Sequence, residues 1–252
     1  MKIQRVLAPN PGPFTGPGTN TWVVGDDREV VVIDPGPVES SHADAIEGVI
    51  GSRVVQAVIV THTHPDHAPL ANPLARTVSS PALGHGPGPD FVPDGLLVDG
   101  SVVEFAGGSL RVLYTPGHAD DHLCFQMDRM LFTGDHIMGG SSVMVDDLSR
   151  YMISLERLRT ENWERMYPGH GPEIEDPGTV IDWYIAHRLQ REREILDAVT
   201  EGSHSIDEIV AVVYADVDVE LHPLAARNVA THLRKLAADG RVRFDGTLAE
   251  PV

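Results

Sequence analysis

The hydrophobic positions change their spacing about two-thirds of the way along the chain. In the first part they fall in short continuous runs. Glu29-Val-Val-Val-Ile-Asp34 and Val54-Val-Gln-Ala-Val-Ile-Val60 are β-branched and nearly uninterrupted, the pattern of strands buried on both faces. Val102–Phe105, Leu110–Tyr114, Leu123–Met127 and Met130–Thr133 predict further strands, with hairpin turns at 106–109 and 128–129. Between the first two runs, Ala43, Ile46, Val49 and Ile50 have helical spacing behind a start suited to an N-cap. Residues 81–95 carry Pro81, Pro87, Pro89 and Pro93 among four glycines, and predict a long loop without regular structure.

After Asp176-Pro177-Gly178 the spacing becomes helical. Thr179–Val199, Ser205–Tyr214 and Pro223–Asp239 predict three helices, Gly240 a stop, and Arg241–Asp245 a short strand in a terminal hairpin. That is the outline of a winged helix. Strands mixed with helices, followed by helices alone, predict an α/β domain over 1–176 and a small winged-helix-like domain over 177–252.

Composition adds limits. A hydrophobic share of 42% with 22% charged residues is that of an ordinary globular chain. No apolar run reaches the roughly 18–20 residues of a membrane span, and the N-terminus lacks a secretory apolar core. With a single cysteine, Cys124, a cytoplasmic protein without membrane contact is expected. The net charge of −18 repels polyanions, so RNA as a partner is disfavoured. From Asp176 onward 8 Arg and Lys stand against 14 Asp and Glu, too few cations for a DNA-reading winged helix. That domain is expected to shape the substrate site or to make a homodimer contact.

The chemistry lies where strands end. Thr61-His62-Thr63-His64-Pro65-Asp66-His67 follows directly on the buried run at 54–60, at the strand end where α/β sheets place their sites. Imidazole and carboxylate donors suit zinc, and also iron or manganese. His62 and His64 divide naturally to one ion, Asp66 and His67 to a neighbour. Three more apolar runs end in a Gly or Pro turn and a donor: Tyr114-Thr-Pro-Gly-His118, Met130-Leu-Phe-Thr-Gly-Asp135 and Tyr167-Pro-Gly-His170.

His-x-His-x-Asp-His followed by a His, an Asp and a His resembles the metallo-β-lactamase superfamily. The resemblance implies an αββα sandwich and two divalent metal ions, zinc by expectation. It places His62, His64 and His118 on the first ion, Asp66, His67 and His170 on the second, and Asp135 with a water-derived hydroxide between them. Such a pair lowers the pKa of bound water toward ~7, so hydrolysis of an ester, thioester or phosphodiester is implied, with Asp66 orienting the nucleophile. Oxygen-reducing di-iron relatives carry a carboxylate where this chain has His64, which argues against redox chemistry. Gly18-Thr-Asn-Thr-Trp22, Gly117-His-Ala-Asp-Asp-His122, Gly134-Asp-His-Ile-Met-Gly139 and Ile185-Ala-His-Arg188, with the winged-helix tail, resemble the β-lactamase-like protein 2 group. An animal member of that group cleaves single-stranded RNA. The expected substrate is a small molecule or short phosphodiester, the alternatives being an RNA endoribonuclease, a glyoxalase-II-like thioesterase or a winged-helix regulator. His122, His187 and Arg188 are candidate substrate-binding residues; His136 is expected to point away, and His42 and His232 to be structural or superficial.

Overall fold

A computed structural model describes residues 1–140 and 142–252. The first sheet runs in chain order through β1 (Lys2–Leu7), β2 (Asn20–Gly25), β3 (Glu29–Ile33), β4 (Val54–Ile59), β5 (Ala82–Gly84) and β6 (Gly95–Leu96). Its first two pairings are antiparallel, and from β3 to β6 it is parallel. The second sheet comprises β7 (Val102–Phe105), β8 (Gly108–Tyr114), β9 (Leu123–Met127), β10 (Met130–Gly134) and β11 (Arg165–Pro168), antiparallel except for β10 with β11. Trp22, Val24, Ile33 and Ile59 of the first sheet meet Val112, Phe125 and Phe132 of the second in a buried layer.

Because side chains alternate along a strand, the neighbouring residues Val23, Val30, Val32 and Val58 face the other way. They pack on α1 (Ser40–Ile50) and α2 (Ala71–Thr77) through Ile46 and Leu74. On the far side of the second sheet, Leu113, Cys124 and Leu131 meet α3 (Leu148–Arg159) and α4 (Pro177–Thr200) through Tyr151, Leu155 and Ile181. Both sheets are thus covered on both faces, which is why their strands read as continuous apolar runs. The result is a helix–sheet–sheet–helix sandwich, an α/β fold.

The segment 81–95 departs from the expected structureless loop. Ala82–Gly84 and Gly95–Leu96 extend the first sheet beyond β4. Pairing of β5 to β4 and of β6 to β5 overrides the weak local propensity, and Gly84 admits the Phe91 ring, which a Cβ there would meet at 2.8 Å. Four elements were silent in the pattern: β1, β2, α2 and α3.

The tail contains α5 (Ile206–Val213), α6 (His222–Ala238) and the hairpin β12 (Val242–Phe244) with β13 (Ala249–Pro251). Ser205 and Glu208 close a capping box on α5. At the expected boundary of 176/177, the Asp176 side chain caps α4 by accepting from the Thr179 amide. Yet α4 belongs to both units. Ile181, Tyr184 and Ile185 lie in the sandwich core, while Ile195, Ala198 and Val199 pack with Val229, Leu233 and Leu236 of α6.

Candidate metal centre

The site is built around Asp34, at the end of β3 in the left-handed region (φ 49°). Its Oδ1 accepts the Thr61 amide at 2.7 Å, and its Oδ2 accepts the Thr61 hydroxyl at 2.7 Å. The same Oδ2 lies 2.9 Å from His67 Nδ1. A carboxylate oxygen accepts, so His67 donates from Nδ1 and turns its Nε2 into the site. Asp34 thereby locks together the ends of two parallel strands and the orientation of one imidazole.

The other donors are held by the same device. His118 Nδ1 donates to the Met144 carbonyl at 2.7 Å and His170 Nδ1 to the Gly18 carbonyl at 3.2 Å, leaving both Nε2 atoms facing inward. Asp135 is held from behind. Its amide donates to His122 Nε2 at 3.2 Å, and His122 Nδ1 contacts the Thr115 hydroxyl at 3.0 Å. Two glycines make room: a Cβ on Gly169 would stand 2.5 Å from Asp135 Oδ1, and one on Gly134 would stand 2.8 Å from His122 Nε2.

Three groups of donor atoms result, each within 4.8 Å: His62, His64 and His118; His62, His67 and Asp135; Asp66, His67 and His170. Imidazole nitrogens face one another directly, His62 Nε2 to His64 Nδ1 at 2.8 Å and His67 Nε2 to His170 Nε2 at 3.2 Å. Paired lone pairs at such distances repel unless a proton or cation lies between them. Asp135 Oδ1 is buried without a hydrogen bond, 3.3 Å from His67 Nε2, an arrangement that is costly unless a positive charge lies beside it. The donor set fits metal ions.

Electrostatics point the same way. Burial, then His67 and His118, drive the pKa of His62 well below its ordinary value. Burial also opposes charging of His67, but Asp135, Asp34 and Asp66 outweigh it and raise its pKa strongly. Burial opposes ionisation of Asp135, yet His67 and His170 hold it well below the usual carboxylate range. His170 is raised to about 9, burial being outweighed by Asp135 and Asp66. The carboxylates of Asp34, Asp66 and Asp135 thus favour positive charge on the groups they face.

All seven predicted ligands are therefore brought together. His122 is fully buried behind Asp135 rather than on the cavity wall. Arg188 is buried too, donating to the Val143 carbonyl and stacking over Tyr151 with its guanidinium carbon 5.3 Å from the ring centre. His187 stacks on Trp183. His136, next to Asp135, is buried against Tyr151 and pushed down to about 3 by burial. His42 is buried and contacts the Thr21 hydroxyl at 2.9 Å. The sequence reading passed over Asp34 and Thr61 as site residues; the signal was an acidic residue closing a buried strand just before Pro35-Gly36.

A cavity of about 630 Å³ opens on His64, Asp66, His118 and Asp135. Pro13, Phe14, Pro65, Met138, Val143 and Met144 give it apolar walls, and Arg227 of α6 reaches its rim.

Residues 14–184 match the family model described as the metallo-beta-lactamase superfamily, and 205–249 match the beta-lactamase associated winged helix domain. The chain belongs to the metallo-β-lactamase superfamily. It is 34% identical over 252 residues to the beta-lactamase-like protein 2 homolog of Caenorhabditis elegans, covering 95% of this chain and 85% of that one. It is 33% identical over 271 residues to an atrochrysone carboxyl ACP thioesterase of Aspergillus novofumigatus, covering 97% and 81%. A beta-lactamase domain protein from Burkholderia ambifaria superposes with a TM-score of 0.84 at 22% identity, over 99% of this chain and 91% of that one. The superfamily's αββα sandwich, a C-terminal winged helix and a metal-dependent hydrolase's donor set are all present in this one chain.

Proposed function

We propose that this superfamily member is a dinuclear hydrolase, zinc being the preferred metal, that cleaves acyl thioesters. His62, His64 and His118 would hold one ion and Asp66, His67 and His170 the other, with Asp135 serving both. The predominance of imidazole nitrogen suits zinc over manganese, iron being the nearer competitor. When bound, such a pair supplies a water nucleophile of lowered pKa and polarises the acyl carbonyl. The protein's own part is orientation. Asp34 and the Met144 and Gly18 carbonyls keep His67, His118 and His170 in one tautomer, His122 holds the Asp135 backbone, and Asp66 orients the nucleophile at the cavity floor.

The observation that carries the thioester reading is the cavity. Its walls are apolar and its floor is lined by carboxylates, which suits an acyl chain and opposes a polyanion. The curated relative named a thioesterase, similar over nearly the whole chain, supports the same substrate class. RNA cleavage and a DNA-binding regulator fit less well. On α6, Lys235 is already held by Glu192 at 2.8 Å and Asp239 at 2.7 Å, and phosphate affinity scales with free cations.

The test is a parallel assay of zinc-loaded protein on a butyryl thioester, single-stranded RNA and bis(4-nitrophenyl) phosphate. Thioester turnover should dominate, and Asp135→Ala should lower it more than about 100-fold, beyond the loss usual for residues that merely support a ligand. Preferred cleavage of RNA, or activity that survives Asp135→Ala, would overturn this reading.

A further inference from the structure

We infer that Arg227, supplied by the winged-helix unit, is a specificity-determining residue that binds an anionic group on the substrate, carboxylate or phosphate, at the rim of the metal cavity. This rests on the hydrolase reading above but adds a substrate class to it. Among the described residues lining the cavity, Arg227 is the single cation, while Asp66, Asp135 and Asp146 are its acids. An arginine guanidinium is the group best shaped to hold a carboxylate or phosphate by two parallel hydrogen bonds.

Its position is built, not incidental. One turn further along α6, the Thr231 hydroxyl donates to the Arg227 carbonyl at 2.9 Å and lies 3.3 Å from the Val145 carbonyl. The Asp146 and Asp147 amides donate to the Gly117 carbonyl at 2.9 and 3.0 Å, and Arg188 of α4 donates to the Val143 carbonyl. The segment 143–147 is thus clamped from both units, and its Met144 carbonyl holds His118. Arg227 meets that segment at Asp146 and lines the same cavity as His64, Asp66, His118 and Asp135.

Among the described residues its one ion partner is Asp146, at 3.8 Å, the two side chains being 66% and 62% exposed. So long and exposed a contact contributes little, so an incoming anion displaces Asp146 at small cost. The apolar walls then run between the scissile carbonyl at the floor and the anion at the rim.

The anion could sit on the acyl group or on the thiol arm, and ketone analogues in which methylene replaces the thioester sulfur separate the two. Zinc-loaded protein is titrated calorimetrically with analogues of butyryl-N-acetylcysteamine (neutral), succinyl-N-acetylcysteamine (carboxylate on the acyl side) and butyryl-coenzyme A (phosphates on the thiol side). One anionic analogue should bind more tightly than the neutral one, and its identity assigns the side. Arg227→Ala should cut that preference at least about tenfold, as for loss of a charged hydrogen bond, and Arg227→Lys should restore part of it. Asp146→Asn should increase the preference by about two- to fivefold, a direction that loss of packing would not produce. A preference for the neutral analogue, an equal loss across all three in Arg227→Ala, or no binding of any analogue would overturn the inference. Anion-selective binding without turnover of the matching thioesters would strike the thioester reading alone.

Discussion

Asp34 shows how much of a metal centre can rest on a residue that is not a ligand. Its two oxygens take three hydrogen bonds, from the Thr61 amide, the Thr61 hydroxyl and His67 Nδ1. Asp34→Asn keeps the shape but replaces one acceptor oxygen by a donor and frees His67 to rotate. Metal affinity is expected to fall by about 10- to 100-fold, read by competition with a chromophoric chelator; unchanged affinity would show that the contact does not orient the ligand. His232 makes a different point. It is buried between α6 and α4, both ring nitrogens lack partners among the described residues, and burial, with Arg188, Arg191, His187 and Lys235 around it, lowers its pKa to about 3. A histidine with a folded pKa below its ordinary value of 6.5 contributes stability when neutral. That contribution is complete above 6.5 and is lost progressively as pH falls below it. The melting temperature should therefore drop between pH 7 and 5, and His232→Leu should flatten that drop. An identical slope in the variant would count against it.

At the scale of elements, α4 is the joint of the molecule. Its N-terminal half is covered by the sandwich and its C-terminal half by α5 and α6, so neither unit keeps a closed core if the helix is divided. Unfolding should be a single transition in which the tail's ellipticity and the absorbance of a cobalt-substituted centre disappear together. Ile195→Ala, in the tail's core, should cost about 2–5 kcal/mol and lower both signals at once. Separate transitions would mean that the units are energetically independent. The glycines at strand ends act at this scale too. Gly134 lies at the end of β10 with φ 47°, and Gly169 follows β11. Gly169→Ala would drive a methyl group against Asp135 Oδ1, and the expected outcome is loss of bound metal with little loss of secondary structure, checked by metal analysis beside circular dichroism.

For the whole molecule, charge and cavity decide what can approach. A net charge of −18 and a cavity floor lined by carboxylates oppose a polyphosphate chain, while two bound divalent ions would offset only part of that charge. Single-stranded RNA should not be retained on a filter even at ~50 mM salt, conditions under which phosphate contacts are strongest; retention that weakens steeply with added salt would reverse the preference for a thioester.

The donor cluster was legible along the chain because each donor closes an apolar strand at a Gly or Pro turn, from His62–His67 to His118, Asp135 and His170. Strand ends can be read from local pattern alone. The sandwich was legible for a related reason: strands covered on both faces are apolar nearly throughout, as β3 and β4 are apart from Glu29 and Gln56. The strands β5 and β6 were not legible, since Gly84 and Pro81 carry no strand signal and pairing orders them, β5 against β4 and β6 against β5. Nor could the pattern show that His122 and Arg188 lie behind the cavity while Arg227 lies on it. All three are polar residues near a motif or on a helix, and which face of the site each one meets depends on how α4 and α6 cross the 143–147 segment. What the sequence determined by itself was therefore the metal chemistry, because donors and turn residues are local. What only the tertiary structure decided was access to that chemistry, because the walls and the rim come from segments spread along the chain from Pro13 to Arg227, brought together by packing around α4.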